Sequence, residues 1–286
     1  MGWLLKQGKN TLYWTIPEWT SFGVRLAFST IQGGQSTGSY SSLNLGLHVN
    51  DNPRNVLKNR KLFLAEFGCS LDDCIAAEQI HGTKVQIVTA EQKKSGMYDY
   101  ADSIPACDGL LTTDPLLGLM AFFADCVPLY FYCPRTKIIG LAHAGWRGTV
   151  NNIAKEMLDK LKLAGASAAE CQVAIGPSIG ACCYQVSSDV AAIFREKFGN
   201  PPFLTPAEQG KFHLDLKEAN RYLLISEGVL PKNIISSDLC TFCQAEYFYS
   251  FRRAQVTGRM AAFIIRQDCE QRGGSIIDVQ NSQEKT

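Results

Sequence analysis

Four apolar stretches, at 109–112, 117–124, 129–133 and 138–142, follow one another with no helical pattern between them. That run limits the fold more than any other feature of the chain. Strand patterns recur near 24–29, 74–79, 85–89, 172–175, 233–236 and 260–266. A doubly wound parallel sheet would alternate strand with helix throughout, whereas strands in runs predict an α+β layered sandwich with mixed sheets. Helices are fewer and better punctuated. Asn52 and Pro53 open one that ends near Gly68, Thr149 to Gly165 frames a second, and Ser187 or Ser188 to Gly199 a third. Asp215 with Glu218 forms a capping-box start for a fourth, ending at Gly228.

The length of 286 residues allows one large domain or two small ones. The turn-rich segments 32–42 and 200–209 read as loops and not as linkers, so the chain is taken as a single domain over 1–286. The balance of 28 basic against 27 acidic residues leaves no field to hold a phosphate backbone or an anionic membrane surface, which argues against nucleic acid as a partner. The longest uncharged apolar run, 116–124, has nine residues against the roughly 20 needed to span a bilayer. The first residues lack a secretory apolar core, so a cytoplasmic protein is expected.

Eleven scattered cysteines do not form the dense framework of a secreted mini-protein, and most are expected as buried free thiols. Only four histidines occur, at 48, 81, 143 and 213. A four-copper oxidase centre needs on the order of ten imidazole ligands, which this chain cannot supply.

The stretches 129–133 and 138–142 form a hairpin around Pro134, Arg135, Thr136 and Lys137. A two-residue turn at Pro134 and Arg135 sets Cys126 opposite His143, on one face and with Cβ atoms about 5 Å apart. His81 lies in the turn Gln79-Ile80-His81-Gly82 between two strands, where a rigid scaffold would present a third donor. Cys126, His143 and His81 match a zinc site with one open position, the catalytic arrangement. Taken alone, the Cys126–His143 pair reads rather as a small buried apolar residue beside a hydrogen-bonded core histidine, and it is the surrounding residues that turn the reading toward a metal site. The pair Cys240 and Cys243, for which no partner pair stands at regular spacing, reads as packing.

Two G-x-S-x-G strings, 34–38 and 176–180, lack the helix that a nucleophile elbow requires directly after its serine. Their glycines more readily let backbone amides approach an anion. No G-x-x-x-x-G-K-[ST] phosphate loop is present. Arg60, Arg147, Arg252 and Arg253 stand beside aromatic or amide-bearing neighbours, as an anion clamp would need, although an ordinary ion pair is the commoner use of any one of them.

Taken together, Ser42-Leu43-Asn44-Leu45-Gly46-Leu47-His48, Gln79-Ile80-His81-Gly82, Ala124-Asp125-Cys126-Val127-Pro128, His143-Ala144-Gly145-Trp146-Arg147-Gly148-Thr149, Ile175-Gly176-Pro177-Ser178-Ile179-Gly180 and Ser250-Phe251-Arg252-Arg253 resemble the YfiH family. That family is also called the laccase-domain or multicopper polyphenol oxidase family, the peptidoglycan editing factor family and a purine nucleoside phosphorylase family. The resemblance covers about 23–266, leaving short terminal extensions, and includes the helical pair Asn59 and Arg60. It implies a single-domain α/β/β/α sandwich with zinc held by His81, Cys126 and His143, copper being an ion the same donors could take in vitro.

The resemblance further implies phosphorolysis of adenosine, inosine and methylthioadenosine to the free base and a ribose 1-phosphate, with adenosine deamination as a second activity. Nucleoside and phosphate are then the small-molecule partners of a monomer or homodimer. The chain departs from the family pattern at Ile31, usually Arg, and at Gln185, usually Glu. For phosphorolysis the expectation is that Arg60 and Arg147, with amides of the loop holding Gly33, Gly34 and Ser36, grip phosphate while Asn44 and His48 contact substrate polar groups. For deamination the ion would activate water for attack at purine C6, with Asp125 or Asp108 carrying the proton or orienting a ligand. The competing expectations are an amidase acting on cell-wall muropeptides with Cys126 as nucleophile and His143 as base, a copper-dependent phenol oxidase, and a non-catalytic sensor of nucleosides or muropeptides.

Overall fold

The computed structural model describes residues 2–267. Two six-stranded mixed sheets stack face to face. The first runs from edge to edge through Leu4–Gln7, Leu12–Thr15, Val24–Ser29, Met260–Arg266, Gly118–Phe123 and Cys74–Ala76. The second runs through Ile234–Ser236, Gln172–Ile175, Val127–Cys133, Ile138–Ala144, Gly109–Thr112 and Val85–Ile87. Leu26, Phe28, Leu119, Phe123, Tyr130, Leu141 and Ile264 fill the space between them.

Each sheet is covered on its outer face as well. Met157 and Leu161 of the helix Ile153–Leu163, Phe194 of Ser188–Phe198 and Leu224 of Leu216–Ser226 pack on Leu129, Phe131 and Val173. Phe63 and Leu64 of the helix Pro53–Ala65 pack on Ala27, Met120 and Phe263. The result is the α+β layered sandwich, in the order α/β/β/α. Burial on both faces explains why Val127–Cys133 is apolar along its whole length: Leu129 and Phe131 face the helices while Tyr130 and Tyr132 face the other sheet.

The Asn52 side chain accepts from Arg54 N at 3.0 Å and starts its helix, and Asp215 accepts from Glu218 N at 3.0 Å and starts another. The segment expected as one helix from Thr149 to Gly165 is two, Trp146–Val150 and Ile153–Leu163. Asn152 adopts a left-handed φ of 62° at the break, and its side chain caps the second helix through Lys155 N. The N-terminal segment is more than an extension. Its two strands pair with each other, the inner one, Leu12–Thr15, pairs with Val24–Ser29, and Trp3 donates from Nε1 to Ile175 O at 3.1 Å.

The hairpin register also differs from expectation. His143 faces Pro128, and the connection holds Pro134 to Lys137 because Lys137 takes a left-handed φ of 56° and lengthens the turn. A slip of two residues leaves every side chain on its original face, so Cys126 and His143 still share one. Most of the described cysteines are free, as expected, but Cys133 and Cys171 are joined by a disulfide between the end of this strand and the start of its neighbour. Among the described residues no helix is long and apolar enough to cross a membrane.

Candidate active site

Three polypeptide segments bring His81, Cys126 and His143 together. His143 lies on the strand Ile138–Ala144, Cys126 immediately precedes Val127–Cys133, and His81 occupies the turn between Cys74–Ala76 and Val85–Ile87. Their potential ligand atoms all lie within 4.8 Å of one another. The two imidazoles meet edge to face, with centroids 4.7 Å apart. Gly145 makes the approach possible, since a Cβ there would meet the His81 ring at 3.0 Å and Cys126 Sγ at 3.1 Å.

Asp108 organises this cluster. Its buried carboxylate accepts from Ile80 N at 3.2 Å, His81 N at 3.0 Å, Gly82 N at 2.7 Å and His143 Nδ1 at 2.8 Å. These bonds hold the turn in which His81 adopts a left-handed φ of 62°. With Nδ1 engaged, His143 keeps Nε2 for the centre, as in a carboxylate–histidine–metal arrangement. Burial opposes ionisation of Cys126, but His143 and His81 outweigh it and bring the thiol down to about 6. Burial likewise opposes charge on His143, yet Cys126 and Asp108 raise its pKa to about 9. Both shifts favour a thiolate beside an imidazolium. One thiolate and two imidazoles, oriented by a carboxylate and facing an open cavity, are the donor set of a catalytic zinc site.

The cavity above these residues measures about 400 Å³, within the range of small-ligand sites. Tyr100, Phe122, Trp146, Tyr184 and Phe251 supply aromatic wall, and Arg252 and Arg259 supply positive charge. His48 also lines the cavity beside Tyr100 and Phe122. Burial, followed by the charges of Arg259 and Arg60, lowers its pKa to about 4, so its ring is neutral at pH 7.

Several residues expected at the substrate lie one layer behind the lining. Arg60 is buried, donates to the carbonyls of Leu45, Gly96 and Met97, and stacks on Phe122 at 4.4 Å. Its guanidinium is therefore a brace and does not face phosphate. Asn44 is buried too, accepting from Gly46 N and Arg259 N and donating to Asp51. Ser36 donates to Asp51 and accepts from Asn59, while Gly34 N donates to Ser42 Oγ. Gly33 and Gly34 lie against the backbone of Asn10 and Ser42, where a Cβ would come within 2.5 Å and 2.1 Å, so this loop packs into the fold and is absent from the cavity wall.

Asp125 does reach the wall, but its carboxylate is already bound. It accepts from Thr241 Oγ1 at 2.7 Å, Ser250 Oγ at 3.0 Å and Arg252 N at 2.7 Å. Asp125 adopts a left-handed φ of 96° immediately before Cys126. Arg147 is exposed and stacks on Trp146 at 4.4 Å, placing its charge near the rim. Sequence patterning brought out Trp146 and Phe251 within their motifs but not Arg259, Tyr100, Phe122 or Tyr184. The signal for Arg259 was Gly258 just before the last strand, where a Cβ would meet the Tyr249 ring at 2.6 Å. Cys240 and Cys243, expected as packing, instead stand with Cys182 and Cys183 in a second cluster of potential ligands.

Comparison with known proteins agrees over nearly the whole chain. The chain is 40% identical over 250 residues to the purine nucleoside phosphorylase YlmD of Geobacillus stearothermophilus, covering 86% of this chain and 91% of that protein. It is 32% identical to the adenosine deaminase RL5 of an unknown prokaryotic organism, over 84% of this chain and 94% of that one. The crystal structure of YlmD from Geobacillus stearothermophilus superposes with a TM-score of 0.88 at 37% identity, covering 92% of this chain and 99% of that one. With residues 25–267 also matching the family model for multi-copper polyphenol oxidoreductase laccase, the chain belongs to that laccase-like family.

Proposed function

We propose that this protein is a zinc-dependent purine nucleoside phosphorylase acting on adenosine, inosine and methylthioadenosine, with adenosine deaminase as a side activity. The observation that carries the reading is the convergence of His81, Cys126 and His143 at the floor of a cavity with aromatic and guanidinium walls. Relatives named for the two activities support it. A zinc ion held by these three residues would supply Lewis acidity, lowering the pKa of a bound water from 15.7 toward about 7.

The remaining roles belong to the chain itself. The aromatic wall stacks the flat purine and excludes water, and neutral His48 donates or accepts a hydrogen bond at a substrate polar group. Arg252 and Arg259, with Arg147 at the rim, hold phosphate beneath the sugar. A phosphate oxygen then bonds to C1′ as the glycosidic C–N bond breaks, and the proton that hydrogen phosphate gives up leaves on the base, yielding free base and ribose 1-phosphate. Holding the two reactants together and balancing charge at an oxocarbenium-like sugar are the sources of rate. Asp108 and Asp125 act as positioning residues, since each carboxylate is committed to neighbouring donors. Nucleoside and phosphate are the partners, in the cytoplasm, for a monomer or homodimer.

A second reading draws on one observation, the lowered pKa of Cys126 beside His143, which is also the signature of a nucleophilic thiol pair. One experiment separates the two. Inosine and phosphate are supplied with and without chelator to the native enzyme and to His81→Ala, and hypoxanthine release is followed. Loss of release on chelation and in the variant, with the fold retained, is expected. Release that is indifferent to chelator, or a covalent adduct on Cys126 during turnover of an amide substrate, would overturn the reading.

A further inference from the structure

A separate group of thiols lies across the wall from the cavity. Cys182 and Cys183 sit in the turn after the strand Gln172–Ile175, and Cys240 and Cys243 sit in the turn after Ile234–Ser236. All four are free thiols, and their sulfurs lie within 4.8 Å of one another. Cys183 Sγ stands 3.4 Å and Cys182 Sγ 3.7 Å from Cys243 Sγ. Four sulfurs bound tetrahedrally at Zn–S of about 2.3 Å would be separated by about 3.8 Å along each edge. The spacing therefore suits one ion, and leaves no room for the bridging sulfides of an iron–sulfur cluster.

The surroundings are shaped for negative sulfur. Gly180 N donates to Cys240 Sγ at 3.2 Å, and a Cβ at Gly180 would stand 3.2 Å from Cys182 Sγ and 3.5 Å from Cys240 Sγ. Lys217 is buried close by, with its ammonium on Leu239 O at 3.0 Å, so a positive charge faces a site whose four thiolates would exceed the charge of a divalent ion by two. The turn Cys240-Thr241-Phe242-Cys243 gives the two-residue spacing from which structural zinc sites take a ligand pair.

We propose that Cys182, Cys183, Cys240 and Cys243 bind a structural zinc ion, distinct from the centre at His81, Cys126 and His143. Binding releases the thiol protons and closes a four-thiolate shell with no place for substrate. The ion would fasten the turn preceding Tyr184 to the turn carrying Thr241, the residue that donates to Asp125. The neighbouring loop already reaches both turns, Arg252 donating to Gln185 O at 2.8 Å and Arg253 to Thr241 O at 3.0 Å. The second ion thus fixes the cavity wall from behind.

The test uses full-length reduced protein supplied with zinc, desalted, and assayed by elemental analysis. The native chain should carry about one equivalent more than Cys240→Ser/Cys243→Ser, and His81→Ala should still carry about one. Cobalt loaded into His81→Ala should show thiolate-to-metal charge transfer and tetrahedral visible bands that the serine substitutions remove. If the double variant fails to fold, the native protein decides: all four thiols should resist iodoacetamide until chelator is added, as read by peptide mapping. Equal zinc in native and serine proteins, rapid alkylation of these thiols while zinc is retained, or a mapped disulfide within the reduced, zinc-supplied cluster would each overturn the proposal.

Discussion

Replacing Asp108 with Asn tests the organisation of the centre with almost no change of volume. In the native protein Oδ1 accepts from His81 N and His143 Nδ1, and Oδ2 accepts from Ile80 N and Gly82 N. The amide has one oxygen and one NH2 group, so either end of the site loses its acceptor. If nitrogen replaces Oδ2, two backbone donors of the His81 turn face a third donor. If it replaces Oδ1, His81 N is orphaned and His143 must move its proton to Nε2, the nitrogen that would bind an ion. Each buried donor left unpaired costs about 1–3 kcal/mol, which puts the first arrangement at about 2–6 kcal/mol. Loss of a carboxylate behind a histidine ligand costs about 10- to 100-fold in metal affinity. Zinc competition against a chromophoric chelator and urea denaturation of the same variant give both quantities. Zinc affinity within about twofold of native, with stability unchanged, would refute the assignment of Asp108 as the organiser.

Two further outcomes follow from the same geometry. His143, raised from 6.5 to about 9, contributes stability that is complete below 6.5 and lost as pH rises through 9. Cys126, lowered from 9.0 to about 6, contributes stability that is complete above 9.0 and lost as pH falls through 6. Across pH 6.5 to 9 the two contributions run in opposite directions and nearly cancel, so the urea resistance of the chelated protein should stay almost level there, whereas Cys126→Ser, which removes the rising contribution, should lose stability as pH climbs; a level profile in the variant would count against the ion pair. Arg60→Ala should lower stability by about 3 kcal/mol or more by orphaning carbonyls, yet leave the phosphate KM of the folded fraction unchanged. Arg259→Ala should instead raise the phosphate KM, and steady-state kinetics of the two variants would expose a reversed assignment.

The layered fold was legible because strands buried on both faces are apolar throughout, and such segments announce themselves. The convergence of His81, Cys126 and His143 was legible for a sturdier reason. Pairing of Cys126 directly opposite His143 was wrong by two residues, but the two-residue period of a strand forgives an even slip. The left-handed residues Lys137 and Asn152 escaped notice because neither is glycine, and each altered a turn or split a helix. Arg60 and Asn44 looked like substrate contacts by residue type. Their polar atoms are consumed by carbonyls and amides from distant segments, a tertiary fact with no local signature. The partners of Cys240 and Cys243 were hidden similarly, since adjacent cysteines at 182 and 183 do not form a regular pair. The N-terminal strands went unread because the outer one, Leu4–Gln7, is exposed along its length and carries no alternation.

Asp125 ties the backbone of Arg252 and the hydroxyls of Thr241 and Ser250 to the residue immediately before Cys126. Wall and floor are thereby geared to each other. Remodelling 250–252 to admit a bulkier ligand would drag on Cys126 at the same time, so a change at the wall should come bundled with a change at the His81–Cys126–His143 cluster. Evolution or engineering would find broader specificity more readily along the side formed by Tyr100 and His48, where no such tether to the sulfur is made.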